Sequence, residues 1–123
     1  MSAAEEIRYE RGMAKLAEVD GHAGHEVVSS LGDLGRYIVE FAFGDVYSRP
    51  GLTIREREIA TVAMLAAMGG REPQLRVHIG AAFNVGLTRQ EIEEIIIHTV
   101  PYAGFPTAIN AMNVLNSLVS GPK

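Results

Sequence analysis

Apolar residues along this chain recur mostly every three to four positions, the spacing that places them on one face of a helix. Strict alternation, the mark of a half-buried strand, is weak. Ile95-Ile96-Ile97 is β-branched, but it sits inside a frame with helical start and stop signals. The pattern predicts an all-α fold, a compact bundle of about six helices. Ser2 to Val19 reads as a mostly polar amphipathic helix with Ile7, Met13 and Leu16 as its apolar positions. Gly21 to Gly24 breaks it, Val27 to Leu31 adds a short helical turn, and Gly32 marks another break. Leu34, Ile38, Phe41 and Val46 recur at helical spacing and predict a longer helix from Leu34 to Tyr47, closed by the turn Arg49-Pro50-Gly51.

The next boundaries are sharper. Thr53-Ile54-Arg55-Glu56 has the form of a capping box, in which the threonine hydroxyl and the glutamate satisfy each other's backbone N–H groups. The helix it opens is expected to end at Gly69-Gly70. Glu72-Pro73 puts proline in the first turn of the following helix, where its missing N–H does no harm, and that helix ends at Gly86. Thr88-Arg89-Gln90-Glu91 is a second capping box, for a helix reaching about Ala103 with Pro101 kinking its end. Gly104-Phe105-Pro106 starts a last helix, to about Val119, ahead of a Ser-Gly-Pro-Lys tail. No internal repeat, linker or low-complexity segment interrupts the chain, so its 123 residues are expected to form a single domain.

Composition narrows the function classes. The chain has no cysteine, which excludes disulfides, iron–sulfur clusters, Cys-ligated zinc and thiol chemistry. Net charge is −4 and the basic residues are scattered without aromatic interleaving, which argues against nucleic-acid binding. The N-terminal stretch lacks the apolar core of a signal peptide, and the most apolar run, Ile59 to Met68, is roughly half the length of a membrane span. A cytoplasmic protein is the expectation. A hydrophobic fraction of 47% is rich for so short a chain and predicts that subunit contacts cover part of its surface.

Two residues stand out as candidate chemistry. Glu58 lies four residues after Ile54 and four before Val62, so it shares an apolar helix face. Desolvation there favours the neutral carboxyl, a group able to exchange a proton near pH 7. The alternative is a carboxylate at the edge of the face, paired to Arg55, Arg57 or an arginine of another helix. His78, three residues after Leu75 and four before Ala82, also points inward. It suits protonation of carbon or stabilisation of an oxyanion, or else is a core histidine bonded to a backbone carbonyl. Gln74 is one turn before His78 and is placed to orient the ring or donate to a substrate. Arg71 and Arg76 flank the region and offer bidentate contacts to an anionic substrate, against the plainer reading of solvated surface arginines. His98, with Glu94 one turn before and Tyr102 one turn after, is offset from the core stripe, which places it structurally, at a subunit contact or at the site's edge. His22, His25 and Glu26 lack the spacing of a zinc helix, and no metal site is expected.

The segments RYERGMAKLAEV, FGDVYSRPGL and above all IATVAMLAAMGGREPQLRVHIGAAFNVGLTRQEIEEII followed by YAGFP resemble the carboxymuconolactone decarboxylase family, whose redox-active cousins are the alkylhydroperoxidase D proteins. The likeness covers nearly the whole chain. Redox members carry a Cys-x-x-Cys pair shortly before the histidine matched by His78. Here Gly70 to Gln74 stands in its place without sulfur, so the thiol peroxidase route is closed. The glutamate of the decarboxylases' Glu-Leu-x-x-His is replaced by Gln74, and Glu58 stands where they often have a small hydroxyl residue. The resemblance implies cofactor-independent decarboxylation of a small lactone acid such as 4-carboxymuconolactone, with catalytic roles for His78 and Glu58. Gln74, Arg71, Arg76, His98 and Tyr102 would bind the anionic substrate, the last two from a neighbouring subunit. It also implies a ring-like homo-oligomer, a hexamer built as a trimer of dimers, with no cofactor. Other outcomes left open are an isomerase, hydratase or lactone hydrolase using the same pair, and a non-catalytic oligomeric module.

Overall fold

A computed structural model describes residues 2–119; the predicted Ser-Gly-Pro-Lys tail lies outside them. The described residues are helical throughout, with no strand, as the pattern predicted. The elements are α1 (Ala3–Ser29), α2 (Asp33–Tyr37) continuing as a π-helical segment (Ile38–Tyr47), α3 (Ile54–Met68), α4 (Glu72–Asn84), α5 (Arg89–Ala103) and α6 (Phe105–Leu118). They fall into two compact units, Met1–Ile54 and Arg55–Lys123. No helix among the described residues is long and apolar enough to cross a membrane.

In the first unit, α1 opens on a capping box that went unpredicted although its Ser-x-x-Glu pattern is plain. The Ser2 hydroxyl accepts from the Glu5 N–H at 3.2 Å, and the Glu5 carboxylate accepts from the Ser2 N–H at 3.3 Å. The predicted glycine break is confined to Gly21, whose φ of 59° and ψ of −137° leave the helical region; the chain then resumes helix to Ser29. Two glycines set the contact between α1 and the π-helical segment. A Cβ on Gly12 would lie 2.0 Å from the Val39 carbonyl oxygen, and one on Gly44 2.7 Å from that of Arg8. The two backbones therefore touch where side chains are absent. Beside this contact Arg8 Nη2 reaches Asp45 at 2.6 Å, Arg11 Nη2 joins it at 3.2 Å, and Arg11 Nε donates to the Gly44 carbonyl at 2.7 Å.

The predicted stripe of the second helix does not hold. Leu34, Phe41 and Val46 are exposed, and Ile7 on α1 is exposed too. The buried residues are Gly35, Val39, Glu40, Phe43 and Gly44. The inner face is set instead by close backbone approach at the glycines: a Cβ on Gly35 would lie 2.1 Å from the Val28 carbonyl oxygen and one on Gly44 2.7 Å from that of Arg8.

The second unit follows its signals closely. Thr88 and Glu91 exchange both bonds of the capping box, at 3.0 and 3.1 Å. Pro73 sits in the first turn of α4, Gly69 and Gly70 both have φ of 68° after α3, and α5 continues through Pro101 to Ala103. Val62 and Ala66 of α3, Leu75, Ile79 and Ala82 of α4, Ile92 and Ile96 of α5, and Ala108, Ala111 and Leu115 of α6 form one buried cluster. Arg55 bonds Glu91, and Arg89 bonds Asn116 at 2.5 Å, tying the polar edges together.

Two expectations follow. Gly12→Ala should destabilise the protein by about 1–3 kcal/mol, because the added methyl must push the Val39 carbonyl away, whereas Gly80→Ala, with nothing within 4 Å of its Cβ, should be neutral or stabilising. Urea unfolding of the two variants checks the contrast. The hydrogen bond and charge of Arg8 hold the Asp45 carboxyl below the ordinary carboxylate range. Its folded value is thus lower than its unfolded one, so the stabilisation is complete above about pH 4 and is lost as pH falls through the folded value. Thermal melts from pH 6 to pH 2 should show Asp45→Asn less stable at neutrality and less sensitive to acid than the parent.

Candidate active site

Within the second unit, α3 repeats a buried position every four residues: Glu58, Val62 and Ala66. The spacing that buries the two apolar residues also carries Glu58 inside, where no part of it is exposed. α4 buries Leu75, Ile79 and Ala82 at steps of four and three, and His78 sits at the margin of that face, its side chain 23% exposed. The two rows bring His78 Nδ1 to 2.6 Å from Glu58 Oε1. With a carboxylate as acceptor, this geometry assigns Nδ1 as the protonated nitrogen, which leaves Nε2 as the outward-facing atom. A buried carboxyl group thus fixes the ring's orientation at the edge of the core. The core-carbonyl alternative for His78 and the edge position for Glu58 both give way to this pair.

The other predicted residues divide. Gln74 is exposed on α4, one turn before His78. Arg71 stands at the start of α4, exposed, with Nη1 donating to the Gly69 carbonyl at 3.0 Å. Arg76 turns the other way, as a residue two positions from His78 on a helix must, and its Nη2 donates to Ser117 Oγ of α6 at 2.6 Å. It is therefore not placed with the pair. His98 and Tyr102 line a separate groove of about 560 Å³ between α3 and α5, with ring centroids 6.3 Å apart. Neither Glu58 nor His78 lines that groove, so one chain does not bring all seven residues together.

One buried acid escaped the sequence reading. Glu40, in the first unit, is 3% exposed, with Arg36 Nε 3.8 Å from Oε1. Its neighbours Ile38, Val39, Phe41 and Phe43 were the available signal, but a 3.6-residue helix assigned Phe41 to the inside in its place. Among the described residues, no group of three or more histidine, aspartate or glutamate side chains is arranged to hold a metal ion.

Residues 32–117 match the carboxymuconolactone decarboxylase family. The chain is 39% identical over 115 residues to a 4-carboxymuconolactone decarboxylase of Acinetobacter baylyi, covering 89% of this chain and 85% of that one. It is 34% identical over 83 residues to a nitrosuccinic acid decarboxylase of Metarhizium robertsii, 68% of this chain and 57% of the relative. An uncharacterized 15.0 kDa protein of Paracoccus denitrificans is 30% identical over 82 residues, 66% of this chain and 61% of its own. The buried glutamate–histidine pair thus lies in a chain that belongs to the carboxymuconolactone decarboxylase family.

Proposed function

We propose that this protein is a cofactor-independent carboxy-lyase that converts 4-carboxymuconolactone to 3-oxoadipate enol-lactone and carbon dioxide, in the breakdown of aromatic compounds. The observation that carries the proposal is the 2.6 Å contact between His78 Nδ1 and the wholly buried Glu58, in a chain 39% identical to a 4-carboxymuconolactone decarboxylase. The substrate supplies its own electron sink. As the bond to the leaving carboxylate breaks, its electron pair moves through the ring alkene to the lactone carbonyl, giving an oxyfuran anion. A proton added to the carbon alpha to that carbonyl restores the lactone and balances the reaction. The protein has to desolvate the leaving carboxylate, stabilise the oxyanion and deliver the proton.

In this scheme protonated His78 presents Nε2–H to the oxyanion or the ring carbon, and Glu58 orients the ring and steadies its charge. Gln74 and Arg71, on the His78 side of α4, bind the substrate's second carboxylate; Arg76, engaged by Ser117, has at most an indirect role. An ionised Glu58 facing a dianionic substrate would repel it. His78 lies against the carboxylate and presents a cation to the substrate in its place. The reading takes residues 1–123 as one domain of the family, acting in the cytoplasm as a ring-like homohexamer. Exposed Met64, Met68, Tyr102, Phe105 and Ile109 support self-association.

A second substrate is favoured by one observation, the 34% identity to a nitrosuccinic acid decarboxylase. Nitrosuccinate and 4-carboxymuconolactone share a carbon that bears the departing carboxylate, a carboxymethyl arm and an electron-accepting group. A site built for that arrangement needs only a proton donor and an anion contact, which is what α4 offers.

The test is carbon dioxide release from freshly generated 4-carboxymuconolactone, with nitrosuccinate in parallel. Wild type should turn over the lactone, and Glu58→Gln and His78→Asn should each reduce kcat by on the order of 10²–10⁴ while circular dichroism stays unchanged. Because removing one partner of a buried pair destabilises by about 3–5 kcal/mol, the double variant Glu58→Leu/His78→Leu serves as control and should be folded but inactive. A folded wild type inert toward the lactone but active on nitrosuccinate would move the assignment to the second substrate. Inertness toward both, or full activity in His78→Asn, would overturn the mechanism.

A further inference from the structure

The first unit holds one pair of side chains that packing leaves unfinished. Glu40 is 3% exposed, and its Oε2 is buried without a hydrogen-bond partner in the protein. Arg36, one turn before it, is the nearest candidate. Its Nε stops 3.8 Å from Glu40 Oε1, too far for a hydrogen bond, and that Nε is itself buried without an acceptor. A charged donor and a charged acceptor are thus left open side by side, where buried polar groups are ordinarily satisfied. Both residues line one hollow of about 360 Å³, at the lower end of the range for small-molecule sites, together with Glu5, Arg8, Tyr37 and Phe41. The other two charges there are committed. Arg8 holds Asp45 through Nε and Nη2 at 3.2 and 2.6 Å, and the Glu5 carboxylate accepts from the Ser2 N–H at the helix cap.

We propose that this hollow binds a small zwitterion, an α-amino acid with an apolar side chain, whose ammonium donates to Glu40 and whose carboxylate accepts from Arg36. The inference is independent of the decarboxylase reading and uses neither Glu58 nor His78. A lone cation would satisfy Glu40 but meet the charge of Arg36 and leave its Nε–H open; a lone anion would do the converse. A molecule with both charges on neighbouring groups answers both through charge-assisted hydrogen bonds, bridging an ion pair that falls short of contact. The exposed rings of Tyr37 and Phe41 give the ligand's side chain an apolar rim. The Arg36 side chain is partly exposed, so its guanidinium is open to a carboxylate from the solvent side. Reaching Glu40 Oε2 requires a side chain at the mouth to turn aside, and exposed rings do so within nanoseconds. The Tyr37 ring centroid lies 5.0 Å from Arg36 Cζ, a contact that the ligand's carboxylate replaces.

Calorimetric titration of the wild-type protein tests this. The probe is L-phenylalanine, with phenethylamine, which lacks the carboxylate, and hydrocinnamate, which lacks the ammonium. L-Phenylalanine should bind saturably, and each analogue should bind about tenfold or more weakly, the loss expected for one charge-assisted hydrogen bond. Glu40→Gln and Arg36→Gln should each weaken L-phenylalanine by a similar factor. Glu40→Gln should also cease to distinguish L-phenylalanine from hydrocinnamate, because the group that reads the ammonium is gone. The comparison of analogues uses the wild type, so it decides the question even where a variant folds poorly. Absence of saturation by L-phenylalanine at tens of millimolar overturns the proposal and leaves water as the partner of Glu40. Equal binding by either analogue overturns the zwitterion and makes the hollow a site for a simple cation or anion. Affinity unchanged in both variants places the amino acid elsewhere and overturns it as well.

Discussion

A carboxylate with no exposed surface is the constraint on which the second unit is built. Removing such a group from water costs several kcal/mol even after relaxation, and only a partner with good geometry returns it. Glu58 finds that partner in His78 at 2.6 Å, and the contact ties α3 to α4 across two rows of otherwise apolar residues. Apolar side chains at both places would hold the helices together equally well. The pair is therefore weak evidence of stabilisation, and its cost is what supports the catalytic role proposed for it.

The first unit solves a different problem. Its contact between α1 and the π-helical segment is made by backbone against backbone at Gly12 and Gly44, beside the buried side chains of Leu16, Val19, Val39 and Phe43. Polar links close the edge, where Arg8 and Arg11 meet Asp45 and the Gly44 carbonyl. The π turn and the glycines are linked, since burying Gly35, Val39 and Gly44 together is what lets the backbones approach.

Sequence reading succeeded where local chemistry decides the outcome. The Thr88–Glu91 box, Pro73 and the glycine pairs are written in residues whose backbone preferences leave few choices, so the boundaries of α3, α4 and α5 were legible. The inward positions of Glu58 and His78 followed from the same periodicity. Their mutual contact did not, because helix spacing gives faces and says nothing of which faces meet. The π-helical segment was illegible for a related reason: Leu34, Ile38, Phe41 and Val46 satisfy an ordinary helical period, and only a tertiary contact through glycine backbone favours the wider turn. Arg76 is close to His78 in sequence, but two residues along a helix point nearly opposite ways, and its bond to Ser117 shows the result. His98 and Tyr102 were recognised as off the core stripe, but one chain offers them a groove without the catalytic pair.

The missing sulfur gives the pair its meaning. In a chain with cysteines beside the histidine, a buried glutamate and an imidazole would pass protons to and from thiols. Here Gly70 to Gln74 holds no sulfur, so the pair has no thiol partner within the chain, and in the proposed reaction its proton goes to the substrate. In the proposed reaction the electrons released from the substrate are received by the substrate itself. That restricts the chemistry to molecules carrying their own acceptor next to the bond that breaks, a lactone conjugated through an alkene or a nitro group, and it leaves the protein the tasks that a fixed imidazole and a few anion contacts can perform.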